Sequence, residues 1–207
     1  MLDGLADSDG RLKGIALVEP HVTDRELMRL ADQGVVGIRI NLTTHGMTPL
    51  TEPGSDRLLR RVREMNWFVE IHCEKDELVE AAPLLRTAGV RIVIDHFGRP
   101  DVGRGVGQPG FQALLEFGRT GQAAVKLSGP FRSSAQGFPY RACDPFVAAA
   151  IDAFTLENCV WGSDWPFVLM EERLDYGPVF GCLSRWLPDP EDRHTVLWDS
   201  PRRLFGF

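Results

Sequence analysis

A chain of 207 residues, 43% of them hydrophobic, holds enough apolar material for one substantial core and is short for two full domains, so a single domain over residues 1–207 is expected. The formal charge of −6 argues against nucleic acid or an anionic membrane surface as partner, because that affinity needs clustered Lys and Arg. Four cysteines without a CxxC pair exclude a disulfide framework and a zinc knuckle; with no leader-like N-terminus and no apolar stretch of bilayer length, they fit a reducing, cytoplasmic setting.

Short apolar runs rich in β-branched residues alternate along the chain with longer amphipathic segments, the pattern of repeated βα units around a parallel sheet. The first strand reads as residues 12–18. Thr23 then caps a helix, Glu26 completes a capping box, and Gly34 ends it. A second strand over 35–41 leads through a loop rich in Gly, Pro and Thr to a basic helix over 55–65. A third strand follows at 67–72, a helix from Asp76 to about Gly89, and a fourth strand at 90–96. The glycine-rich stretch 98–110 is long for a connection in a compact domain, and such loops are usually functional. After it come a helix near 111–119, a fifth strand at 123–128, another long loop, a helix near 144–154 and a sixth strand at 159–163. Two helical pieces, 180–186 and 191–197, and a final turn through PRRLFGF complete the chain. Six βα units are visible where a closed barrel of this type needs eight, and LDGLADSDG looks like the tail of a helix whose preceding strand is absent. The first two strands are therefore expected to be missing.

Side chains alternate between the faces of a strand, so each strand end assigns one set to the barrel axis. Gly37, Arg39 and Asn41 oppose the apolar Val36, Ile38 and Ile40. Glu70 and His72 oppose Val69 and Ile71, which sends Cys73 into the helix layer. Lys126 and Ser128 oppose Val125 and Leu127, and Asp164 shares a phase with Gly162 and Val160. His96 ends an almost purely apolar strand, where burial without a partner is costly and a wet mouth is the simplest explanation. Asp95 falls on the opposite face and is expected to accept helix or loop amides. Arg39, Asn41, His72, His96, Ser128 and Asp164 thus converge on one mouth, the usual signature of an active site. Arg99 and Arg132 lie just beyond strand ends and, with Arg39, suit anionic oxygen, which guanidinium groups bind bidentately. Plain structural roles compete: His72 as a hydrogen-bonded wall residue, Asp164 as the cap of an Asp-Trp-Pro turn. Trp165 can line the mouth, whereas the other tryptophans read as packing residues. Gly103, Gly105 and Gly107 lack the strand and immediate helix of a dinucleotide site.

Taken in order, ALVEP near Leu17, GIRIN ending at Asn41, EIHC at His72, IDHFGRPD at His96, KLSGPFR ending at Arg132, WGSDWPF at Asp164 and the terminal SPRRLFGF carry a resemblance. The chain resembles the amidohydrolase-related family, and within it the branch of 2-pyrone-4,6-dicarboxylate lactonase and sugar lactonases. The resemblance implies a TIM-barrel-like (β/α)8 metal-dependent-hydrolase fold, here with about six of its eight βα units, and hydrolysis of a small carboxylated lactone. It makes Asp164 the general base for water and His96 the group that polarises the scissile carbonyl. Arg39, Arg99 and Arg132 would hold substrate carboxylates, with His72 and Ser128 as further substrate contacts. The family begins with a His-x-His strand that this chain lacks. Metal-dependent members use that pair with the later histidine and aspartate, whereas the pyrone lactonase branch resembles enzymes working without metal. No metal ligand and no cofactor are therefore expected, because catalytic zinc normally needs three protein ligands. Zinc-dependent amidohydrolase or decarboxylase chemistry is one alternative. The other is a non-catalytic truncated barrel that binds anionic ligands or assembles, as a homo-oligomer for example, through open sheet edges.

Overall fold

The computed structural model describes residues 1–170 and 173–207. Among these residues six strands, β1 (Gly14–Ala16), β2 (Val35–Asn41), β3 (Phe68–His72), β4 (Arg91–Ile94), β5 (Ala123–Ser128) and β6 (Cys159–Gly162), form one parallel sheet in chain order. Helices Asp24–Asp32, Ser55–Glu64, Glu77–Ala88, Pro109–Arg119 and Asp144–Phe154 lie between successive strands, and Tyr176–Trp186 follows β6. The expected punctuation operates where the backbone demands it. Thr23 Oγ1 accepts the Glu26 amide at 3.2 Å, and Gly89 closes its helix with φ 61, a left-handed cap that costs glycine little.

One phase of each strand faces the helices. Ile38, Ile40, Val69, Ile71, Ile92, Ile94, Val125 and Leu127 are buried together with Leu27, Leu58, Val62, Leu78, Leu85, Leu114, Phe117 and Phe146. Burying each of these side chains contributes about 1.5–3 kcal/mol before chain entropy is counted. The other phase begins with a small apolar layer of Phe68, Val93, Ala124 and Val160, to which Leu204 is added from the C-terminal end. The expected turn through PRRLFGF is instead a helix, Ser200–Phe205, with Pro201 in its first turn, where a missing amide costs nothing. Its Leu204 fills the inner layer, and the Phe205 ring lies 5.2 Å from that of Phe68. The expected helix at 191–197 is divided between Pro190–His194 and a π-helical turn over Thr195–Asp199.

Residues on or just beyond all six strands, among them Ile15, Arg39, Glu70, Asp95, Lys126 and Gly162, line one cavity of about 350 Å³. The sheet is therefore curled into part of a TIM-like barrel. β1 is shorter than the expected 12–18, since as an outer strand it pairs only with β2. β4 stops at Ile94, before the expected 96, because His96, Phe97 and Arg99 take φ values of 48, 41 and 42 and turn the chain off the sheet. Among the described residues no helix is long and apolar enough to cross a membrane.

Candidate active site

Above the inner apolar layer the barrel interior becomes ionic. Asp95, whose side chain is 1% exposed, meets Arg39 Nη2 at 2.8 Å and Lys126 Nζ at 2.9 Å. Glu70 closes the ring, contacting Lys126 and lying 3.4 Å from Arg39 Nη1. Two cations and two carboxylates from β2, β3, β5 and the end of β4 thus alternate around a closed circuit. Asp95 does not serve helix or loop amides as expected. Strand alternation places it in phase with Val93, on the inner face. The left-handed backbone at His96 then brings that residue inward as well, so two consecutive side chains enter the barrel where a continued strand would send one out. Burial alone would raise the Asp95 carboxyl, but Lys126, then His72, His96 and Arg39, hold it well below the usual carboxylate range. Burial likewise opposes the Lys126 ammonium, which Asp95 and Glu70 nevertheless keep above its ordinary value.

His72 stands on this ring with a cation at each nitrogen. Its Nδ1 is 2.9 Å from Arg39 Nη2 and 3.5 Å from Asp95 Oδ2, and its Nε2 is 3.1 Å from Arg99 Nη1. A neutral imidazole has one acceptor nitrogen, so it accepts from only one guanidinium. The carboxylate beside Nδ1 favours the hydrogen there, which assigns Nε2 as acceptor for Arg99 and leaves Arg39 to Asp95. Arg99 is further tied to Glu74 at 3.2 Å.

The outermost group joins β4, β5 and β6. His96 Nδ1 lies 2.8 Å from Ser128 Oγ, its Nε2 lies 3.6 Å from Asp164 Oδ1, and its ring meets His72 edge-on at 5.7 Å. With a carboxylate opposite Nε2, the consistent tautomer carries hydrogen on Nε2 and accepts the Ser128 hydroxyl at Nδ1. Asp164 pairs with Arg132 Nε, and Arg132 Nη2 also reaches the Val168 carbonyl at 3.2 Å. The alternative role of Asp164 as a turn cap is taken by its neighbour, since Ser163 Oγ accepts the Trp165 amide at 3.1 Å. Asp164 itself has φ 60. Left-handed backbone at both His96 and Asp164 is the kind of local cost that proteins retain where side chains must be aimed.

Burial pushes His96 down to about 4, against the pull of Asp95 and Asp164, so its imidazole is neutral at neutral pH. An unfolded histidine titrates near 6.5. The folded state therefore binds the proton less well, and the stability this contributes is present above about 6.5 and is lost as pH falls toward 4. Urea denaturation should show His96 removing about 2 kcal/mol of stability between pH 7.5 and pH 5. His96→Gln should abolish that slope, and an unchanged slope in the variant would contradict the assignment.

Asp164, His96, Arg39 and Ser128 line the cavity, with Glu70, Asp95 and Lys126 below them. His72, Arg99 and Arg132 do not line it themselves; His72 contacts Arg39, Arg99 contacts His72, and Arg132 contacts Asp164. Asn41, expected at the mouth, instead caps the following helical turn by accepting the Thr44 amide at 3.0 Å. Trp165 is 72% exposed and does not line the cavity. His72, Asp95 and His96 each bring a potential ligand atom within 4.8 Å of the others. Both nitrogens of His72 and both oxygens of Asp95 already face guanidinium or ammonium groups, so a divalent ion there would stand against Arg39, Arg99 and Lys126. This donor set does not fit a resident zinc ion.

A carboxylate, a neutral imidazole and a guanidinium around one cavity suit water addition to a carbonyl beside an anionic group. Comparison with known proteins identifies the family. The chain is 35% identical over 211 residues to 4-sulfomuconolactone hydrolase of Rhizobium radiobacter, covering 99% of this chain and 70% of the relative. It is 28% identical over 215 residues to 2-pyrone-4,6-dicarboxylate hydrolase of Comamonas testosteroni, with 99% and 70% covered. A solved structure of a probable 2-pyrone-4,6-dicarboxylic acid hydrolase from Acinetobacter baumannii, with citric acid bound, superposes with a TM-score of 0.91 at 33% identity, covering 100% of this chain and 78% of that one. The amidohydrolase family model matches residues 1–207. By sequence and by fold, this chain belongs to the amidohydrolase family.

Proposed function

We propose that this protein is a lactone hydrolase that opens the ring of a small carboxylated or sulfonated lactone with water activated by Asp164, without a resident metal, in a reducing cytoplasmic setting. The observation that carries the proposal is the placement of Asp164 on the cavity wall, 3.6 Å from neutral His96 Nε2 and paired with Arg132. Relatives named as hydrolases of sulfomuconolactone and of pyrone dicarboxylate support it, as does a cavity of about 350 Å³, within the range of small-molecule sites. The four cysteines are all free and buried, in keeping with that setting.

The chemistry follows from the pairing. As the structure stands, Asp164 is neutralised by Arg132. An anionic group on the substrate competes for that guanidinium, and its arrival frees the carboxylate to accept a proton from water. The water oxygen then attacks the lactone carbonyl, and His96 Nε2–H donates to the carbonyl oxygen as negative charge develops there. Collapse breaks the ring C–O bond, and the proton held by Asp164 passes to the departing oxygen. The ring is thereby opened to a carboxylic acid, which releases its remaining proton to solvent as the carboxylate forms, and a hydroxyl or enol.

Purified protein treated with chelator should consume 2-pyrone-4,6-dicarboxylate or a sulfonated muconolactone, read as loss of ultraviolet absorbance. Absence of turnover across a panel of anionic lactones would sink the proposal. Arg132→Met should raise KM about 10- to 100-fold, the worth of one charge-assisted contact, for the anionic lactone and not for its neutral methyl ester. An equal change for both would remove Arg132 from the binding role.

A further inference from the structure

Three neighbouring strands leave the sheet through left-handed residues: His96 after β4, Gly129 after β5 and Asp164 after β6, with φ of 48, 58 and 60. Gly129 stands beside both of the others. A Cβ at position 129 would lie 2.8 Å from His96 Nδ1 and 3.1 Å from His96 Cγ, with Asp164 Oδ2 at 3.5 Å. Carbon does not approach a ring atom that closely, so the imidazole would have to move. It is not free to do so in place, being held by the Ser128 hydroxyl at 2.8 Å and by the edge of His72. Resting on the hydrolase reading above, we propose that Gly129 is a positioning residue: the side chain it lacks is the space in which His96 stands against Ser128 and beside Asp164.

Gly121, which precedes β5 at its opposite end, supplies the control. It has φ 66 and nothing within 4 Å of its added Cβ, so a substitution there carries the same backbone penalty without the contact. Asparagine tolerates this backbone better than alanine and keeps the Cβ, which separates strain from contact. Gly129→Ala and Gly129→Asn should each lower kcat about 10²-fold with little change in KM, as expected for a reacting group displaced by about 1 Å. Gly121→Ala and Gly121→Asn should keep the wild-type kcat. In ¹⁵N-histidine-labelled protein, the His96 Nδ1 signal should shift in the Gly129 variants alone as the Ser128 hydrogen bond is lost. That signal is readable whether or not any lactone is turned over, so failure of the lactonase reading would not be mistaken for failure of this one. An unshifted His96 signal, or Gly129 variants as active as the Gly121 pair, would overturn the proposal. Loss of the fold at position 129 alone would also overturn it, by making the residue structural.

Discussion

Asp164→Asn should lower kcat for an anionic lactone by about 10³-fold, inside the 10²–10⁴ range of a positioned general base, which corresponds to about 4 kcal/mol of barrier. The substitution isolates the proton-accepting function. Asparagine has nearly the same shape and is one of the few residues that tolerate the left-handed backbone Asp164 adopts, with φ 60, so the loop after β6 is retained. The amide oxygen still accepts from Arg132 but no longer neutralises it. Arg132 is thus more available to the substrate, and KM should fall or stay level while kcat collapses. That split separates loss of the base from damage to the site, which would raise KM as well. Circular dichroism and urea midpoints near those of the wild type would confirm that the fold is retained. Equal turnover by the variant would remove Asp164 as the base and leave water activation to some other group.

Much of this arrangement is legible in the sequence, for a reason particular to parallel barrels. Strands β2 and β5 coincide with the runs 35–41 and 123–128, because each carries polar residues in one phase against an unbroken apolar phase. That alternation also assigns Arg39, Glu70, His72, Lys126 and Ser128 to the inner face without reference to coordinates. It fails at β4. The run Ile92–Val93–Ile94 is apolar in both phases, so nothing in it marks which face is inner, and no propensity signals that His96, Phe97 and Arg99 take positive φ. Extending the strand to 96 therefore places Asp95 among the helices. The opposite signs of Glu70 and Lys126, both on the inner phase, were the available clue that an interior charge cluster awaited another member. The pairing of Arg132 with Asp164 was less accessible still, since it depends on loops whose ends meet only because the sheet curls.

Asp95→Asn should destabilise the fold by about 3–5 kcal/mol, the cost of removing one partner from a buried ion group. The wild-type ring balances two cations, Arg39 and Lys126, against two carboxylates, Glu70 and Asp95. Neutralising Asp95 leaves the two cations sharing Glu70 in an interior where the Asp95 side chain is 1% exposed, and the amide presents donor hydrogens to groups that are themselves donors. The loss is a large share of the about 5–15 kcal/mol that holds a domain of ordinary stability together. Removing a cation at the same time should recover part of it: Asp95→Asn with Lys126→Met restores a neutral cluster, so the double variant should be more stable than the two single losses summed, with a coupling of about 1–3 kcal/mol. The pH dependence identifies the source. A carboxyl whose folded pKa is depressed contributes stability that is complete above its unfolded value near 3.9 and disappears only as pH falls through the folded value. For Asp95 that value lies well below the usual range. The deficit of the variant should therefore be level from pH 8 to pH 5, across the interval in which the His96 contribution declines. Additive single and double losses in urea denaturation, or a deficit below about 0.5 kcal/mol of the kind surface substitutions give, would show that the ring is not the ionic support its geometry implies.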